Sequence, residues 1–288
     1  MKSSRRLSHY ISLASSASYR YASGTYLLEG SELIHEFVSQ NSPVHVKSLC
    51  MSRDFHLNKL PNLAGERKAA LESVLANFAA NDPAYLKSYQ INRITDSNSE
   101  GIVAEIEMID HKFPKKNILI LDGIRNPGNM GALLRSAVYF NWDTVVVIPE
   151  AADPFGVACV RAARNAQSYV GIETIKPEGL EEIFSPDRTL FLAIPSPVER
   201  LNLNEYGDLM KAGSKVLILG SESHGISEKL RNHCREAKNV YEVNVLNLNP
   251  KQMESLNVSI AGSILMSKLQ DLNANEAVQI SKLNRSNV

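Results

Sequence analysis

Three polar segments in the second half of the chain contain the residues best suited to chemistry. The first, residues 121–135, reads Leu-Asp-Gly-Ile-Arg-Asn-Pro-Gly-Asn-Met-Gly-Ala-Leu-Leu-Arg and follows an apolar run. Its glycines allow the backbone to approach a ligand closely, and Asn129 occupies the expected N-cap of a helix. The spacing is neither G-x-G-x-x-G nor a phosphate loop ending in Gly-Lys-Ser/Thr. Arg135 lies inside the helix, where a lone arginine more often extends into solvent than acts on a substrate.

The second segment, residues 217–227, reads Leu-Ile-Leu-Gly-Ser-Glu-Ser-His-Gly-Ile-Ser. A serine hydrolase requires the G-x-S-x-G elbow, whereas Ser223 stands three residues after Gly220, so this class is disfavoured. Glu222 is the stronger functional candidate, because an acid beside glycines at a strand end can receive polar or cationic groups. His224, in a turn-like setting, is the weaker one.

The third segment, residues 253–263, reads Met-Glu-Ser-Leu-Asn-Val-Ser-Ile-Ala-Gly-Ser and leads into a predicted helix at about 255–270. Ser255 is a plain N-cap in one interpretation. In the other, Ser255 and Asn257 grip a ligand together with the free N–H groups of the helix start.

Apolar runs of strand length precede or separate these segments. They lie at residues 118–121, 145–148, 190–194 and 216–219, with a further strand expected at 240–246. Fully apolar strands that alternate with helices predict an α/β fold, with a parallel sheet covered by helices on both faces. In such a sheet the functional loops follow the carboxyl ends of the strands.

The first third of the chain mixes helix and strand patterns and ends at a basic, proline-containing segment, residues 111–116. We therefore predict a smaller α/β domain over residues 1–110 and a second domain over residues 117–275. Residues 276–288 are polar and are expected to form a flexible tail.

Composition limits the possible classes of protein. The chain has 288 residues, 44% hydrophobic and 22% charged, which is typical of a globular protein of about two domains. Lys+Arg and Asp+Glu number 31 each, so any nucleic-acid-binding surface must be local. Three cysteines without C-x-x-C spacing predict no disulfide framework, no metal site and a reducing compartment. No apolar run approaches the roughly 20 residues of a membrane span.

Taken together, the three segments resemble the SpoU (TrmH-like) branch of the SPOUT RNA methyltransferases. The matching motifs are Asn-Pro-Gly-Asn-x-Gly-x-x-x-Arg at 126–135, Gly-Ser-Glu-x-x-Gly at 220–225 and Ser-Leu-Asn-Val-Ser at 255–259, in the family's order. The resemblance covers about residues 117–270. Residues 26–30 and the helix after them resemble the family's RNA-binding domain more weakly.

The resemblance implies methyl transfer from S-adenosylmethionine to a ribose 2′-hydroxyl of RNA. It also implies a C-terminal trefoil knot and a homodimer with its active site near the subunit interface. The implied catalytic residues are Asn129, Arg135, Glu222, Ser255 and Asn257. The implied cofactor contacts are Gly220, Val245, Leu248 and Leu256. Arg135 has two implied roles, general base or phosphate clamp, because an arginine normally stays protonated.

Two positions depart from the family pattern. Asn126 stands where the family usually has Asp, a change that we expect to be tolerated. Residues 244–252 replace the usual Ile-Pro-Met-x-Gly with a longer segment whose proline is displaced and which has no glycine. The register of the cofactor-facing wall therefore does not carry over from the family.

The acid-free N-terminus is either a basic first helix or a transit peptide. We favour the helix, because the stretch runs without a break into a predicted strand, and we expect a cytoplasmic protein. RNA contacts are predicted for Arg5, Arg6 and Arg20, which are interleaved with tyrosines; a basic helix without a ligand is the alternative. A separate RNA-binding domain favours ribosomal over transfer RNA. The other functions left open are a tRNA 2′-O-methyltransferase and a non-catalytic RNA-binding protein on the same scaffold.

Overall fold

The computed structural model describes residues 2–41, 45–77, 84–95, 98–109, 115–195, 213–245, 251–252, 255–270 and 278–282. The chain forms two compact units. Unit 1 comprises Met1–Asp110 and Asp153–Ser168, and unit 2 comprises His111–Ala152 and Tyr169–Val288. Residues 153–168, predicted to belong to the second domain, pack instead in unit 1.

The elements are numbered along the chain. The strands are β1 (Thr25–Glu29), β2 (Val46–Ser52), β3 (Ala84–Leu86), β4 (Ile102–Glu107), β5 (Asn117–Leu121), β6 (Thr144–Val147), β7 (Gly171–Thr174), β8 (Arg188–Ala193), β9 (Ser214–Leu219), β10 (Val240–Val245) and β11 (Val278–Lys282). The helices are α1 (Lys2–Ser15), α2 (Ala17–Ser23), α3 (Ser31–Gln40), α4 (Gly65–Asn77), α5 (Ser88–Thr95), α6 (Pro127–Tyr139), α7 (Val157–Ala163), α8 (Glu228–Glu236) and α9 (Val258–Gln270). Short π or 3-10 turns cover Phe55–Lys59, Leu60–Asn62, Ala166–Ser168 and Pro177–Gly179.

Unit 1 is built on a four-stranded sheet in the order β1-β4-β2-β3. Strand β4 is antiparallel to β1 and β2, and β3 is parallel to β2. Side chains alternate across β4, so Ile102 and Ala104 pack with Phe37 of α3, whereas Val103 packs with Leu13 of α1. Helices therefore cover both faces of this sheet.

The segment 153–168 completes unit 1. Val160 of α7 belongs to the same buried cluster as Tyr26 of β1. The Tyr26 hydroxyl donates a hydrogen bond of 2.6 Å to Asn165 Oδ1. Arg164 donates to Glu32 Oε1 of α3 at 2.9 Å. These contacts join residues more than 100 positions apart, which is why the sequence pattern did not reveal them.

Unit 2 holds a seven-stranded sheet in the order β11-β10-β8-β9-β5-β6-β7. Its pairs are parallel except β10–β11, which is antiparallel. The predicted strands of this sheet are all present. Strand β7 was missed because its residues are only half-buried or exposed and form no apolar run. Strand β11 lies in the segment expected to be a flexible tail, where backbone pairing with β10 orders five residues.

Helices lie on both faces of the unit 2 sheet, as predicted. On one face Ile118 and Ile218 pack with Leu230 of α8. On the other, a Cβ added to Gly262 of α9 would lie 2.5 Å from Leu219 Cδ1 and 2.6 Å from Leu133 Cδ2. This glycine therefore lets α9 approach both β9 and α6 closely. Within the described part of the chain, no helix is long and apolar enough to cross a membrane.

Candidate active site

The first polar segment turns from β5 into α6. Asn126 is the N-cap, and its Oδ1 accepts hydrogen bonds from the backbone N–H of Gly128 at 2.8 Å and of Asn129 at 3.1 Å. The prediction that Asn129 is the cap is therefore wrong. Pro127 is suited to the first helical position, so the helix starts three residues earlier than predicted. Asn129 lies in the first turn, so its side chain is not used as a cap.

The second segment is a tight turn after β9. Ser221 and Gly225 exchange two backbone hydrogen bonds of 2.9 Å, and Gly225 has a φ of 66°. A Cβ on Gly220 would lie 2.0 Å from the carbonyl carbon of Gly225, so only glycine fits there. The backbone N–H of Ser227 donates to Asp122 Oδ2 at 2.6 Å, which ties this turn to the first segment. Glu222 is exposed at its tip.

The third segment enters α9, which begins at Val258 rather than at about residue 255. The amide oxygen of Asn257 accepts hydrogen bonds from the backbone N–H of Ser259 at 2.9 Å and from its hydroxyl at 2.6 Å. Asn257 therefore caps the helix, as expected of asparagine at that position. Ser255 precedes the cap and is exposed, so the interpretation of Ser255 as the N-cap is wrong.

Asn129, Glu222 and Asn257, one from each segment, form a single hydrogen-bonded group. The Nδ2 atoms of Asn129 and Asn257 donate to Glu222 Oε1 at 2.7 and 2.8 Å. Asn257 Nδ2 also lies 3.1 Å from Asn129 Oδ1. Since Asn257 Oδ1 already accepts from Ser259, its amide can turn only its NH₂ toward Glu222. The group thus fixes the orientation of the Glu222 carboxylate.

The structure does not bring the other two predicted catalytic residues into this group. Arg135 is exposed on α6, six residues after Asn129 and therefore about 120° around the helix axis from it. Among the described residues, Arg135 forms no salt bridge. Ser255 is exposed and lies two residues before Asn257.

Two of the predicted cofactor residues lie at the carboxyl ends of strands of the unit 2 sheet. Gly220 follows β9 directly, Val245 is the last residue of β10, and both are half-buried. Leu256, before α9, keeps 45% of its surface exposed. Leu248 lies outside the described residues. Among the described residues, no group of three or more His, Cys, Asp or Glu side chains is placed to hold a metal ion.

A cavity of about 430 Å³ opens beside Asn129 and Glu222. It is lined by residues of the first two segments and of the loop after β6, including Asp122, Arg125, Glu150 and His224, and by Val258 of the third segment. Asp122 and Glu150 are not among the predicted site residues. Asp122 follows β5 directly and Glu150 lies three residues after the end of β6, so their position at the carboxyl end of a parallel sheet is the signal that could have identified them.

The arginines predicted to contact RNA lie in unit 1, and Arg20 is buried there. Arg20 is only 4% exposed. Its Nε donates to Asp153 Oδ2 at 2.8 Å, and Nη1 donates to the carbonyl oxygens of Leu13 and Ala14. The Arg20 guanidinium is therefore hydrogen-bonded within unit 1, and we do not propose it as an RNA contact. Arg6 is half-buried on α1, and the side chain of Arg5 lies outside the described residues.

Solved structures of known proteins are similar to this chain in fold. The SpoU methyltransferase AviRb from Streptomyces viridochromogenes, solved in complex with the cofactor AdoMet, superposes with a TM-score of 0.70. The match covers 92% of this chain and 96% of AviRb at 17% identity, which supports a common fold.

The family follows from the sequence match. The SpoU rRNA methylase family matches residues 116–267, more than half of the chain, and the chain belongs to that family. The 23S rRNA (guanosine(2553)-2′-O)-methyltransferase RlmP of Bacillus subtilis is 25% identical over 267 residues, which cover 87% of this chain and 90% of RlmP. The mitochondrial rRNA methyltransferase 1 of Dictyostelium discoideum is 28% identical over 156 residues, 52% of this chain and 28% of that protein.

Proposed function

We propose that this chain uses S-adenosylmethionine to methylate the 2′-hydroxyl of a ribose in ribosomal RNA. The observation that carries the proposal is the hydrogen-bonded group of Asn129, Glu222 and Asn257, in which each motif of the SpoU family supplies one residue. RlmP, which aligns with most of the chain, is by name a ribosomal RNA 2′-O-methyltransferase.

The site residues suit this reaction. A ribose hydroxyl is a weak nucleophile, so it must be aligned with the methyl group and helped to lose its proton. The two asparagines hold one oxygen of Glu222, which directs the other toward a hydroxyl or amino group of the acceptor nucleotide in the adjoining cavity. Arg135 has one of two roles: it takes up the proton as a base, or it binds a neighbouring phosphate as a cation. Ser255 contributes a further hydroxyl near Asn257.

The residues at the ends of β9 and β10 fit the cofactor. Apolar side chains and free backbone groups are the usual contacts of an adenosine moiety. Leu256 and Val245 supply apolar surface, and Gly220 leaves its backbone accessible; we assign Leu248 to the same set. Bound S-adenosylmethionine supplies the activated methyl group.

We also propose the family's trefoil knot and its homodimer. The knot is supported by the strand order, in which β8 lies between β9 and β10, and by the return of α9 to pack on α6 and β9. The dimer is supported by exposed apolar side chains on α6 and α9, because Tyr139 is 83% and Ile260 is 52% exposed.

Unit 1 is proposed to be the RNA-binding part of the molecule, with Arg5 and Arg6 of α1 among its contacts. The three cysteines are free and buried, which fits a reducing compartment, and we place the protein in the cytoplasm.

The test is to supply tritium-labelled S-adenosylmethionine with ribosomal RNA and transfer RNA in separate reactions. We expect label in ribosomal RNA, in a form that resists alkaline cleavage because the 2′-oxygen is blocked. Label in transfer RNA alone would redirect the proposal to that substrate. No label with either RNA, and wild type equal to Arg135→Ala, would favour a non-catalytic RNA-binding protein.

A further inference from the structure

Unit 1 exposes two tyrosines at the junction of β3 and α5. Tyr85 is 40% exposed and Tyr89 is 65% exposed. Strand β3 alternates, so the burial of Ala84 and Leu86 on one face turns Tyr85 to the other. There its ring meets the ring of His56 edge-on, with centroids 5.4 Å apart. Tyr85 lies on the edge strand and Tyr89 in the first turn of the helix that follows, so both exposed rings are available to a ligand.

Cations accompany these rings. Lys87 Nζ lies 5.9 Å from the centroid of Tyr89, in cation–π range. The backbone N–H of Lys87 donates to Gln90 Oε1 at 2.9 Å, which holds the strand-to-helix bend in place. Arg93 is exposed four residues after Tyr89 on α5 and therefore shares its helix face.

The charge of this region is positive although the chain is neutral. Residues 53–62 and 84–95 contain four cationic residues, Arg53, Lys59, Lys87 and Arg93, and one acid, Asp54. All four cations are exposed. The pairing of Ser52 with Leu86 brings Arg53 and Lys87, the next residues of the two chains, to the same end of the β2–β3 pair. We name the surface of Arg53, His56, Tyr85, Lys87, Tyr89 and Arg93 the aromatic–basic patch.

We infer that the aromatic–basic patch binds a single-stranded segment of the RNA substrate. Exposed aromatic rings stack on unpaired bases, and neighbouring lysines and arginines neutralise phosphates. The core of a protein–protein interface is depleted in lysine, so rings flanked by lysine suit a nucleic acid better. The inference rests on the proposed function, and it adds a second RNA-binding surface to the contacts proposed for Arg5 and Arg6.

The test measures binding of the full-length protein to a fluorescein-labelled single-stranded RNA of mixed sequence, by fluorescence anisotropy at several salt concentrations. The same RNA annealed to its complement serves as the duplex comparison. The variants are Tyr89→Ala, Tyr89→Phe and Lys87→Glu. Lys238→Glu is the matched control, because Lys238 is an exposed lysine just before the amino end of β10 in unit 2. Circular dichroism verifies that each variant is folded.

We expect Tyr89→Ala to weaken single-strand binding about 5-fold or more, since stacking on one base is lost, and Tyr89→Phe to bind like wild type. Lys87→Glu should reduce the slope of log affinity against log salt by about one. Wild type should bind the single strand more tightly than the duplex. Unchanged affinity in both Tyr89→Ala and Lys87→Glu would overturn the inference, and it is the result expected if the patch binds a protein partner instead. An equal loss of affinity in Lys238→Glu would also overturn it.

Measuring methyl transfer distinguishes a failure of the RNA-binding inference from a failure of the proposed function. If wild type methylates ribosomal RNA, Tyr89→Ala should raise KM for RNA more than it lowers kcat. Active wild type with unchanged KM in Tyr89→Ala refutes the patch alone. Inactive wild type that still loses single-strand binding on Tyr89→Ala refutes the proposed function alone.

Discussion

Asn129 Nδ2 donates a hydrogen bond of 2.7 Å to Glu222 Oε1 across 93 residues of sequence. The two residues follow the neighbouring parallel strands β5 and β9, whose carboxyl ends lie at one edge of the unit 2 sheet. The sheet therefore brings together two motifs that are distant in the chain, and Asn257 joins them from the start of α9. The candidate active site follows from this arrangement.

Asn257→Asp separates the two tasks of Asn257. A carboxylate still accepts from the Ser259 N–H, so the cap of α9 is kept and the melting temperature should change little. The donor to Glu222 is lost and a second carboxylate faces it, which is unfavourable. We expect methyl transfer to ribosomal RNA to fall about 100-fold, the scale of losing a positioned catalytic contact. Asn232→Asp, the same change at an exposed position on α8, should stay active; equal loss in both would contradict this role.

Gly220→Ala should damage the turn that presents Glu222. The new Cβ would meet backbone atoms, at 2.0 Å from Gly225 C and 2.1 Å from Ile226 N, and backbone cannot move aside as a flexible side chain does. We expect the free energy of unfolding to fall by about 2 kcal/mol or more, measured by urea denaturation. Gly213→Ala is the control because a Cβ there has no neighbour within 4 Å. Similar stability for the two variants would show that the turn adjusts freely.

Arg20→Met tests whether Arg20 stabilises unit 1 through Asp153 rather than binding RNA as predicted from the sequence. The side chains of Arg20 and Asp153 are 5% and 17% exposed, so the change leaves a largely buried carboxylate without its partner. The free energy of unfolding should fall by about 3 kcal/mol, whereas RNA affinity at a temperature where the variant is folded should stay the same. Lys115→Ala, which removes a surface pair with Glu173, should cost at most about 1 kcal/mol. Reduced RNA affinity with unchanged stability would restore Arg20 to the RNA contacts.

Alkaline pH should destabilise the protein through its thiols. Burial raises the pKa of Cys50, Cys159 and Cys234 to about 12, from an ordinary value of 9.0. Because the folded pKa lies above the unfolded one, this stability is complete below pH 9 and is lost as the pH rises toward 12. The loss is at most about 1.4 kcal/mol per pH unit for each thiol.

Urea denaturation at pH 8 and pH 10 measures this loss, and Cys234→Ala should reduce it by about a third. Native thiols that react with a disulfide reagent at pH 8 as fast as denatured ones would show that they are not protected.

Much of the fold could be predicted from the sequence because the strands of unit 2 are buried on both faces. Such strands are uninterrupted apolar runs, and the polar segments after them mark the edge of the sheet where the site forms. The resemblance to the SpoU family then identified Asn129, Glu222 and Asn257, which the structure brings within hydrogen-bonding distance of one another.

The remaining features depend on long-range contacts or on close local competition. Arg20 is buried because Asp153, 133 residues away, reaches it, and no local pattern reveals such a pair. Asn126 and Asn129 are both of a residue type that favours the N-cap. Pro127 favours the first helical position, so the cap is Asn126. The half-buried strand β7 has no apolar run to mark it.

The most direct test of the account is the product of ribosomal RNA methylation by wild type and Glu222→Ala side by side. After digestion of the RNA to nucleosides, mass spectrometry distinguishes a methyl group on the ribose from one on the base. The account predicts a 2′-O-methylated nucleoside with wild type and about 100-fold less with Glu222→Ala. A base-methylated product, or equal yields from the two proteins, would contradict it.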